Sequence, residues 1–148
     1  YNCPGQIVIS GEIKAIDAAE QIAKELGAKR YIKLAVAGAF HSSLMRPAVD
    51  IYKDKIKDFV IKDLTIPVIA NWTAREIKTS QEITEAMINQ IIYPVRWIES
   101  IEYLHSRQVD RYVEIGPGTV LSGLIKKIDK SAKIYNIDKL SDLNKLKE

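Results

Sequence analysis

The last third of the chain alternates between strand-like and helix-like segments. Residues 112–115 and 134–137 are rich in aromatic and β-branched side chains, whereas residues 120–128 carry apolar side chains at helical spacing. When a helix joins two strands, the chain can cross back over the sheet before the second strand begins. This kind of connection is typical of parallel strands. The pattern therefore predicts an α/β fold in which these two strands share a sheet. Ser141 is expected to cap a terminal helix after the second strand.

A similar strand–helix–strand pattern opens the chain. Residues 6–11 form a β-branched run that ends in glycine, and residues 31–36 predict a second strand. Between them, residues 13–26 carry apolar side chains at helical spacing, and Gly27 occupies the position of a C-terminal cap. This order of elements is typical of a βαβ-like unit.

An Ala/Gly-rich stretch follows the second of these strands, at residues 35–39. We expect a subdomain boundary there, which divides the chain into a smaller piece, residues 1–37, and a larger piece, residues 38–148.

Within the larger piece, proline residues and capping signals separate three predicted helices and one predicted strand from each other. The expected elements are a helix over residues 42–60 with Pro47 in its first turns, a strand over 66–70, a helix over 80–91 capped by Ser80, and a helix over 97–105 after Pro94.

The charge distribution argues against several classes of function. The 22 basic and 19 acidic residues give a net charge of +3 and are interspersed along the chain, so nucleic-acid binding is not expected. Charged residues interrupt the apolar runs well before the ~20 residues that a membrane span needs. One cysteine and the lack of a signal sequence at the start are typical of a cytoplasmic protein, and we expect that location.

One histidine lies at a junction between a strand-like and a helix-like run. His41 follows the Ala/Gly-rich stretch and precedes the helix predicted from residue 42. Histidine can gain and lose a proton near neutral pH, and a strand-to-helix turn can hold its ring in one orientation, as a general base requires. However, no Gly-x-Ser-x-Gly motif occurs in the 148 residues to supply a partner serine. We therefore expect the chain to be part of an active site and part of a larger protein.

Two further patterns allow more than one interpretation. The glycine-rich turn at residues 114–118 could bring backbone amides to a phosphate, but the next glycine, Gly123, is spaced wrongly for a dinucleotide site, which favours a structural turn. Cys3 and His41 could form a nucleophilic dyad, although a lone cysteine is more often a small buried apolar residue. With only His41 and His105 and no cysteine cluster, no metal site is expected.

Four motifs resemble, in order and spacing, those of malonyl-CoA:acyl carrier protein transacylases. They are residues 2–11 (NCPGQIVISG), 38–45 (GAFHSSLM), 93–97 (YPVRW) and 114–118 (EIGPG). The resemblance covers the whole chain, which corresponds to the C-terminal half of that family. It implies the C-terminal part of an α/β-hydrolase-like large subdomain, residues 38–148. Residues 1–37 would be the C-terminal half of an inserted ferredoxin-like small subdomain.

The resemblance also implies a reaction. In this family a serine takes malonyl from malonyl-CoA and passes it to the phosphopantetheine thiol of acyl carrier protein, a step of fatty acid biosynthesis. His41 matches the catalytic base, and the backbone carbonyl of Gln90 matches the group that orients its ring. The coenzyme A thioester is a substrate, and no cofactor is implied.

Substrate-binding residues follow from the same resemblance. Phe40 matches an aromatic residue of malonyl-selective members, where it crowds the space that a 2-methyl branch would need. Asn2 and Gln6 match polar residues near the acyl and pantetheine entrance, and Asn71 matches a polar residue near the histidine loop.

The chain lacks the family's serine motif, the arginine that pairs with the malonyl carboxylate and the N-terminal oxyanion glutamine, so the isolated chain is expected to be inactive. Three alternatives remain open. The chain could come from an acyltransferase domain of a polyketide synthase, or be a Cys/His hydrolase that uses Cys3. It could also be a non-catalytic remnant that binds the acidic carrier through basic residues, namely Lys29, Arg30, Lys33 and Arg46.

Overall fold

The computed structural model describes residues 1–147, and this part of the chain contains five α-helices, four short strands and two 3₁₀ helices. In chain order they are α1 (Ile13–Glu25), the 3₁₀ helix Ser43–Met45, α2 (Arg46–Ile56), β1 (Val68–Ala70), β2 (Arg75–Ile77), α3 (Ser80–Asn89), α4 (Trp97–Ser106), β3 (Arg111–Ile115), α5 (Val120–Ile128), β4 (Lys133–Ile137) and the 3₁₀ helix Leu140–Lys147. Within residues 1–147, every helix is too short or too polar to cross a membrane.

The parallel pair of strands predicted for the last third of the chain is confirmed. β3 and β4 pair in parallel, with Arg111 opposite Lys133, and α5 connects them. Tyr112 of β3 and Ile125 of α5 are buried together with Ile101 of α4, which is only 2% exposed. This apolar cluster therefore fixes α4 and α5 on the β3–β4 pair.

The carboxylate of Glu114 ties the end of β3 to the first turn of α5. It accepts hydrogen bonds from the backbone N–H groups of Leu121 (3.0 Å) and Ser122 (2.8 Å), from the Ser122 hydroxyl (2.6 Å) and from the Asn136 amide on β4 (2.9 Å). These donors, the Ser122 hydroxyl foremost, lower the pKa of Glu114 to about 2. Because the amides at the start of α5 already bind this carboxylate, the structural interpretation of the turn at residues 114–118 is favoured over a phosphate site.

The N-terminal helix is also confirmed, including its cap. Gly27 has φ of +86°, a conformation that glycine adopts without steric cost. Its N–H donates to the Lys24 carbonyl (3.0 Å), and the N–H of Ala28 donates to the Ala23 carbonyl (2.9 Å). These two bonds form a Schellman motif and end α1 one residue before the predicted boundary.

The strands predicted at residues 6–11 and 31–36 are wrong. Among residues 1–147 neither segment pairs with another strand, and the only ladder contact near them is an isolated bridge between Cys3 and Gln6. A β-branched sequence favours an extended backbone, but a strand also needs a neighbour to share its hydrogen bonds. Without one, the apolar side chains of residues 7–9 remain exposed.

The central region follows the prediction with one missing element. The strand predicted at residues 66–70 begins at Val68, after Pro67, and pairs in antiparallel fashion with β2, which was not expected. β2 escaped notice because Arg75–Ile77 carries two charged residues and no apolar run. The helix predicted over residues 42–60 ends already at Ile56.

Two predicted caps are corrected. The N-cap of α3 is Thr79 and not Ser80, because Thr79 and Glu82 form a reciprocal capping box. Ser141 lies inside the last 3₁₀ helix, where Asp142 accepts hydrogen bonds from the N–H groups that precede it. No observation tests the subdomain boundary after residue 37, which stays a prediction.

Replacing Glu114 with glutamine is expected to destabilise the chain more at neutral pH than in acid. The pKa of Glu114 is lowered from 4.5 to about 2 in the folded chain. The contribution of its charged form is therefore complete above about pH 4.5 and is lost as the pH falls towards 2. Urea midpoints of both proteins at pH 7 and pH 3 would measure this.

Glu102→Gln is the matched control, because Glu102 is exposed on α4 and makes no hydrogen bond within residues 1–147. We expect its urea midpoints to follow those of the unsubstituted chain at both pH values. An unchanged midpoint for Glu114→Gln at pH 7 would contradict the role assigned to this carboxylate.

Candidate active site

His41 lies immediately before the 3₁₀ helix that leads into α2. Its φ of 60° falls in the left-handed region, which is uncommon for a residue with a side chain. Its backbone N–H donates to the carbonyl of Ile91 at 3.1 Å. The next residue, Ser42, donates its hydroxyl to the carbonyl of Ala39 at 2.7 Å. Hydrogen bonds on both sides therefore hold the backbone in this conformation.

The imidazole ring contacts two backbone carbonyls. His41 Nδ1 is 2.8 Å from the carbonyl oxygen of Gln90 and 3.2 Å from that of Tyr93. A carbonyl can only accept a hydrogen bond, so Nδ1 carries the proton when these bonds form. The neutral ring then has a free lone pair on Nε2, and His41 is exposed to solvent. This arrangement suits a base that acts through Nε2.

The segment that supplies these carbonyls, residues 90–93, follows the end of α3. The N–H of Tyr93 donates to the Asn89 carbonyl at 2.9 Å, and Pro94 then prevents further helix. Two residues later, the N–H of Arg96 donates to the Asn71 carbonyl at 2.8 Å. The segment is therefore fixed at both ends, at one end by α3 and at the other by the turn between β1 and β2.

Arg96 also makes side-chain contacts that hold the start of α4. Its guanidinium donates to the Thr73 carbonyl at 3.4 Å and forms an ion pair with Glu99, in which Nε is 2.8 Å from Oε1. The hydrogen bond from Arg96 lowers the pKa of Glu99 below its ordinary value, and Glu99 raises that of Arg96. The motif at residues 93–97 therefore connects the end of α3, the turn between β1 and β2, and the start of α4.

The N-terminal motif forms a tight turn beside this segment. The N–H of Asn2 donates to the Gln6 carbonyl at 3.1 Å, and the N–H of Gln6 donates to the Cys3 carbonyl at 2.9 Å. The carbonyl of Tyr1 accepts a hydrogen bond of 3.4 Å from the N–H of Ile98 on α4. Three of the four motifs, at residues 2–11, 38–45 and 93–97, are thus brought to the same part of the fold.

The other predicted site residues occupy different environments. Phe40 is 48% exposed, and its ring packs over Gly38. Asn71 uses its backbone carbonyl to hold Arg96, while its side chain makes no hydrogen bond within the described chain. The roles assigned to Phe40, Asn2, Gln6 and Asn71 in substrate binding stay predictions.

The alternative dyad of Cys3 and His41 is not formed. Cys3 is 1% exposed, and its thiol donates to the side-chain oxygen of Gln6 at 3.5 Å. In residues 1–147 no hydrogen bond joins this thiol to His41, whose Nδ1 faces the two carbonyls. His105 instead lies 3.1 Å from Asp129, so the two histidines have separate surroundings.

Sequence reasoning missed two features of this region. Tyr93 was part of a motif, but nothing in the residue pattern singled out its carbonyl as a second acceptor for His41. The residue pattern assigns Trp72 no role, yet its ring packs on that of Tyr93 with centroids 5.3 Å apart. An aromatic residue in the turn before β2 was the only available signal.

Comparison with known proteins finds similar chains of one kind, although no family model matches this chain. Malonyl CoA-acyl carrier protein transacylase of Bacillus subtilis (strain 168) is 48% identical over 132 residues, which cover 89% of this chain and 42% of the relative. The crystal structure of malonyl CoA-acyl carrier protein transacylase from Clostridium perfringens ATCC 13124 has a TM-score of 0.92 and 39% identity, and covers 99% of this chain and 46% of that one. A malonyl-transacylase solved in complex with a type II PKS acyl-carrier protein has a TM-score of 0.85 and 32% identity, covering 90% and 43%.

These similarities confirm the resemblance found in the sequence and the α/β class of the fold. The chain spans slightly less than half the length of the relatives that it matches. The matched part is the C-terminal portion of the curated relatives. Over most of its length, the chain is similar to malonyl-CoA:acyl carrier protein transacylases.

Proposed function

We propose that this chain is the histidine-bearing part of an acyl carrier protein S-malonyltransferase, with His41 as its catalytic base. The observation that carries this proposal is the pair of carbonyls at His41 Nδ1, which leaves Nε2 free to accept a proton. The chain is 48% identical to the Bacillus subtilis transacylase, and the proposed substrates, malonyl-CoA and acyl carrier protein, are inferred from this similarity. The nucleophilic serine comes from outside these 148 residues.

The proposed reaction has two matched halves. In the first, Nε2 of His41 takes the serine hydroxyl proton as the oxygen attacks the malonyl thioester. The carbon–sulfur bond then breaks, and Nε2 returns the proton to the coenzyme A thiolate. In the second, Nε2 takes the proton of the carrier's phosphopantetheine thiol as the sulfur attacks the malonyl ester. The serine oxygen leaves and recovers its proton, so the enzyme is regenerated without a cofactor.

The two carbonyls have a function in both halves. Each time Nε2 gains a proton, the ring becomes an imidazolium, and a carbonyl dipole at Nδ1 stabilises that positive charge. The same contacts keep Nδ1 protonated and the ring in one orientation. In this account the Gln90 and Tyr93 carbonyls take the place that a carboxylate has in a Ser-His-Asp triad.

The finer description of the fold belongs to the same proposal. Residues 38–148 would be the C-terminal part of an α/β-hydrolase-like large subdomain, which the parallel β3–β4 pair with its connecting α5 supports. Residues 1–37 would be half of a ferredoxin-like small subdomain. A location in the cytoplasm accords with a fatty acid synthesis enzyme.

A specific observation keeps a second pathway in view. One solved relative is a malonyl-transacylase bound to a type II PKS acyl-carrier protein. The carrier of the present enzyme could therefore serve polyketide synthesis with the same chemistry at His41. The basic residues considered for carrier binding, Lys29, Arg30, Lys33 and Arg46, are all exposed, and Lys33 is paired with Asp17 at 2.6 Å. Transfer assays with both kinds of carrier would separate the pathways.

Substitution of His41 by alanine is expected to lower malonyl transfer by about three orders of magnitude, because the proton acceptor is lost. The assay uses a chimera in which this chain replaces the matching segment of the Bacillus subtilis relative, with malonyl-CoA and acyl carrier protein as substrates. His105→Ala is the matched control, since His105 is the other histidine and pairs with Asp129. Full transfer by the His41→Ala chimera would overturn the proposal, and carrier binding without transfer by the unsubstituted chimera would favour a non-catalytic role.

Substitution of Phe40 by alanine is expected to relax the choice of acyl group. Removing a side chain that crowds a methyl branch is expected to lower the selectivity against the branched substrate by about 10- to 100-fold. The ratio of kcat/KM for malonyl-CoA to that for methylmalonyl-CoA, measured with the same chimera, should fall by this factor. Phe59→Ala is the control, because Phe59 is the other phenylalanine and is 71% exposed. An unchanged ratio for Phe40→Ala would rule out a selectivity role.

A further inference from the structure

The turn between β1 and β2 presents an aromatic ring to the segment that holds His41. The rings of Trp72 and Tyr93 have centroids 5.3 Å apart and are tilted by 30°. We propose that Trp72 is a positioning residue, which fixes the Tyr93 carbonyl and so keeps the proton of neutral His41 on Nδ1. The consequence of Trp72 for catalysis rests on the proposed function, but its effect on the His41 ring does not.

Trp72 lies on a turn that is itself well fixed. The N–H of Ala74 donates to the Ala70 carbonyl at 2.8 Å, and these two alanines are 1% and 5% exposed. The neighbours of Trp72 on either side, Asn71 and Thr73, both use their carbonyls to accept hydrogen bonds from Arg96. The turn therefore holds residue 96 through hydrogen bonds on both sides of Trp72 and contacts residue 93 through its ring.

Tyr93 is the part of the segment that most needs such support. Its side chain is 45% exposed, and Pro94 has no N–H with which to fix the backbone after it. Its carbonyl is 3.2 Å from His41 Nδ1, compared with 2.8 Å for the Gln90 carbonyl. A shift of a few tenths of an ångström would move the Tyr93 oxygen out of hydrogen-bond range. The Trp72 ring restrains this shift because aromatic pairs prefer defined offsets and tilts.

The proposed consequence concerns the tautomer of His41. With two acceptors at Nδ1, the proton remains there when the ring rocks from one carbonyl towards the other. With the Gln90 carbonyl alone, a rocking ring loses its acceptor, and the proton can reside on Nε2 instead. That tautomer has no lone pair on Nε2 and cannot accept a proton from a serine.

Imidazole nitrogen chemical shifts of the chain itself test the proposal directly. The chain has only two histidines, and His105, beside Asp129, serves as an internal reference in the same spectrum. We expect the Nδ1–H pattern for His41 in the unsubstituted chain and averaged shifts of mixed tautomers in Trp72→Ala. Trp72→Phe retains a ring and should restore the original pattern. An unchanged His41 pattern in Trp72→Ala would overturn the proposal.

A second variant covers the case in which Trp72→Ala fails to fold. Tyr93→Ala breaks the same aromatic pair but leaves the turn at residues 71–74 and the carbonyl at position 93 in place. It should give the same mixture of tautomers at His41, with the His105 pattern unchanged. An unperturbed His41 in this variant would overturn the proposal equally.

Kinetics of the chimera test the catalytic consequence. Trp72→Ala should lower kcat by about 10- to 100-fold through misplacement of the base, with little change in KM for malonyl-CoA. Adding Trp72→Ala to His41→Ala should cause no further loss, because both act through the same ring. Equal losses in kcat with and without His41 would assign Trp72 a merely structural role. If His41→Ala retains transfer, the proposed function fails, while the nitrogen shifts still decide whether Trp72 fixes the tautomer.

Discussion

The contact between the His41 ring and two backbone carbonyls sets the requirements for the rest of the site. Nδ1 of His41 bonds to residues that lie 49 and 52 positions later in the chain. A carbonyl can orient an imidazole only if its own backbone is fixed, so the segment at residues 90–93 must be rigid. In addition, His41 has φ of 60°, which costs energy for a residue with a side chain. The hydrogen bonds to Gln90, Ile91 and Tyr93 offset that cost.

Rigidity of this segment comes from elements that are distant in sequence. α3 fixes its start, and Arg96 fixes its end on the turn between β1 and β2. Beyond Arg96, α4 buries Ile101 in the cluster that also contains Tyr112 and Ile125. The carboxylate of Glu114 then locks β3 to α5. The geometry at His41 is therefore connected through α4 to this buried apolar cluster.

The sequence predicted the elements whose stability comes from their own residues. α1 is specified by local periodicity and its glycine cap, and the β3–α5–β4 unit contains both partners of its strand pair, joined by one short helix; the structure confirms both. The strands at residues 6–11 and 31–36 failed because pairing is not a local property. β2 was missed for the opposite reason, since its charged residues give no strand signal, and it forms by pairing with β1.

In the candidate site, too, some features could be predicted from the sequence and others could not. His41 could be recognised as a candidate base from its residue type and position, because the proposed chemistry uses its side chain. The Gln90 carbonyl came only from a family resemblance, and the Tyr93 carbonyl and Trp72 came only from the structure, because a backbone oxygen leaves no mark in a residue pattern. The proposed function assigns the base, and not the nucleophile, to this chain.

The most direct test of that claim is to locate the covalent intermediate. The chimera with the Bacillus subtilis relative is incubated with malonyl-CoA and no carrier, digested and mapped by mass spectrometry. The account predicts one malonyl group on a serine in the part contributed by the relative and none on residues 1–148. A malonyl group on a residue of this chain, such as Cys3, would contradict it.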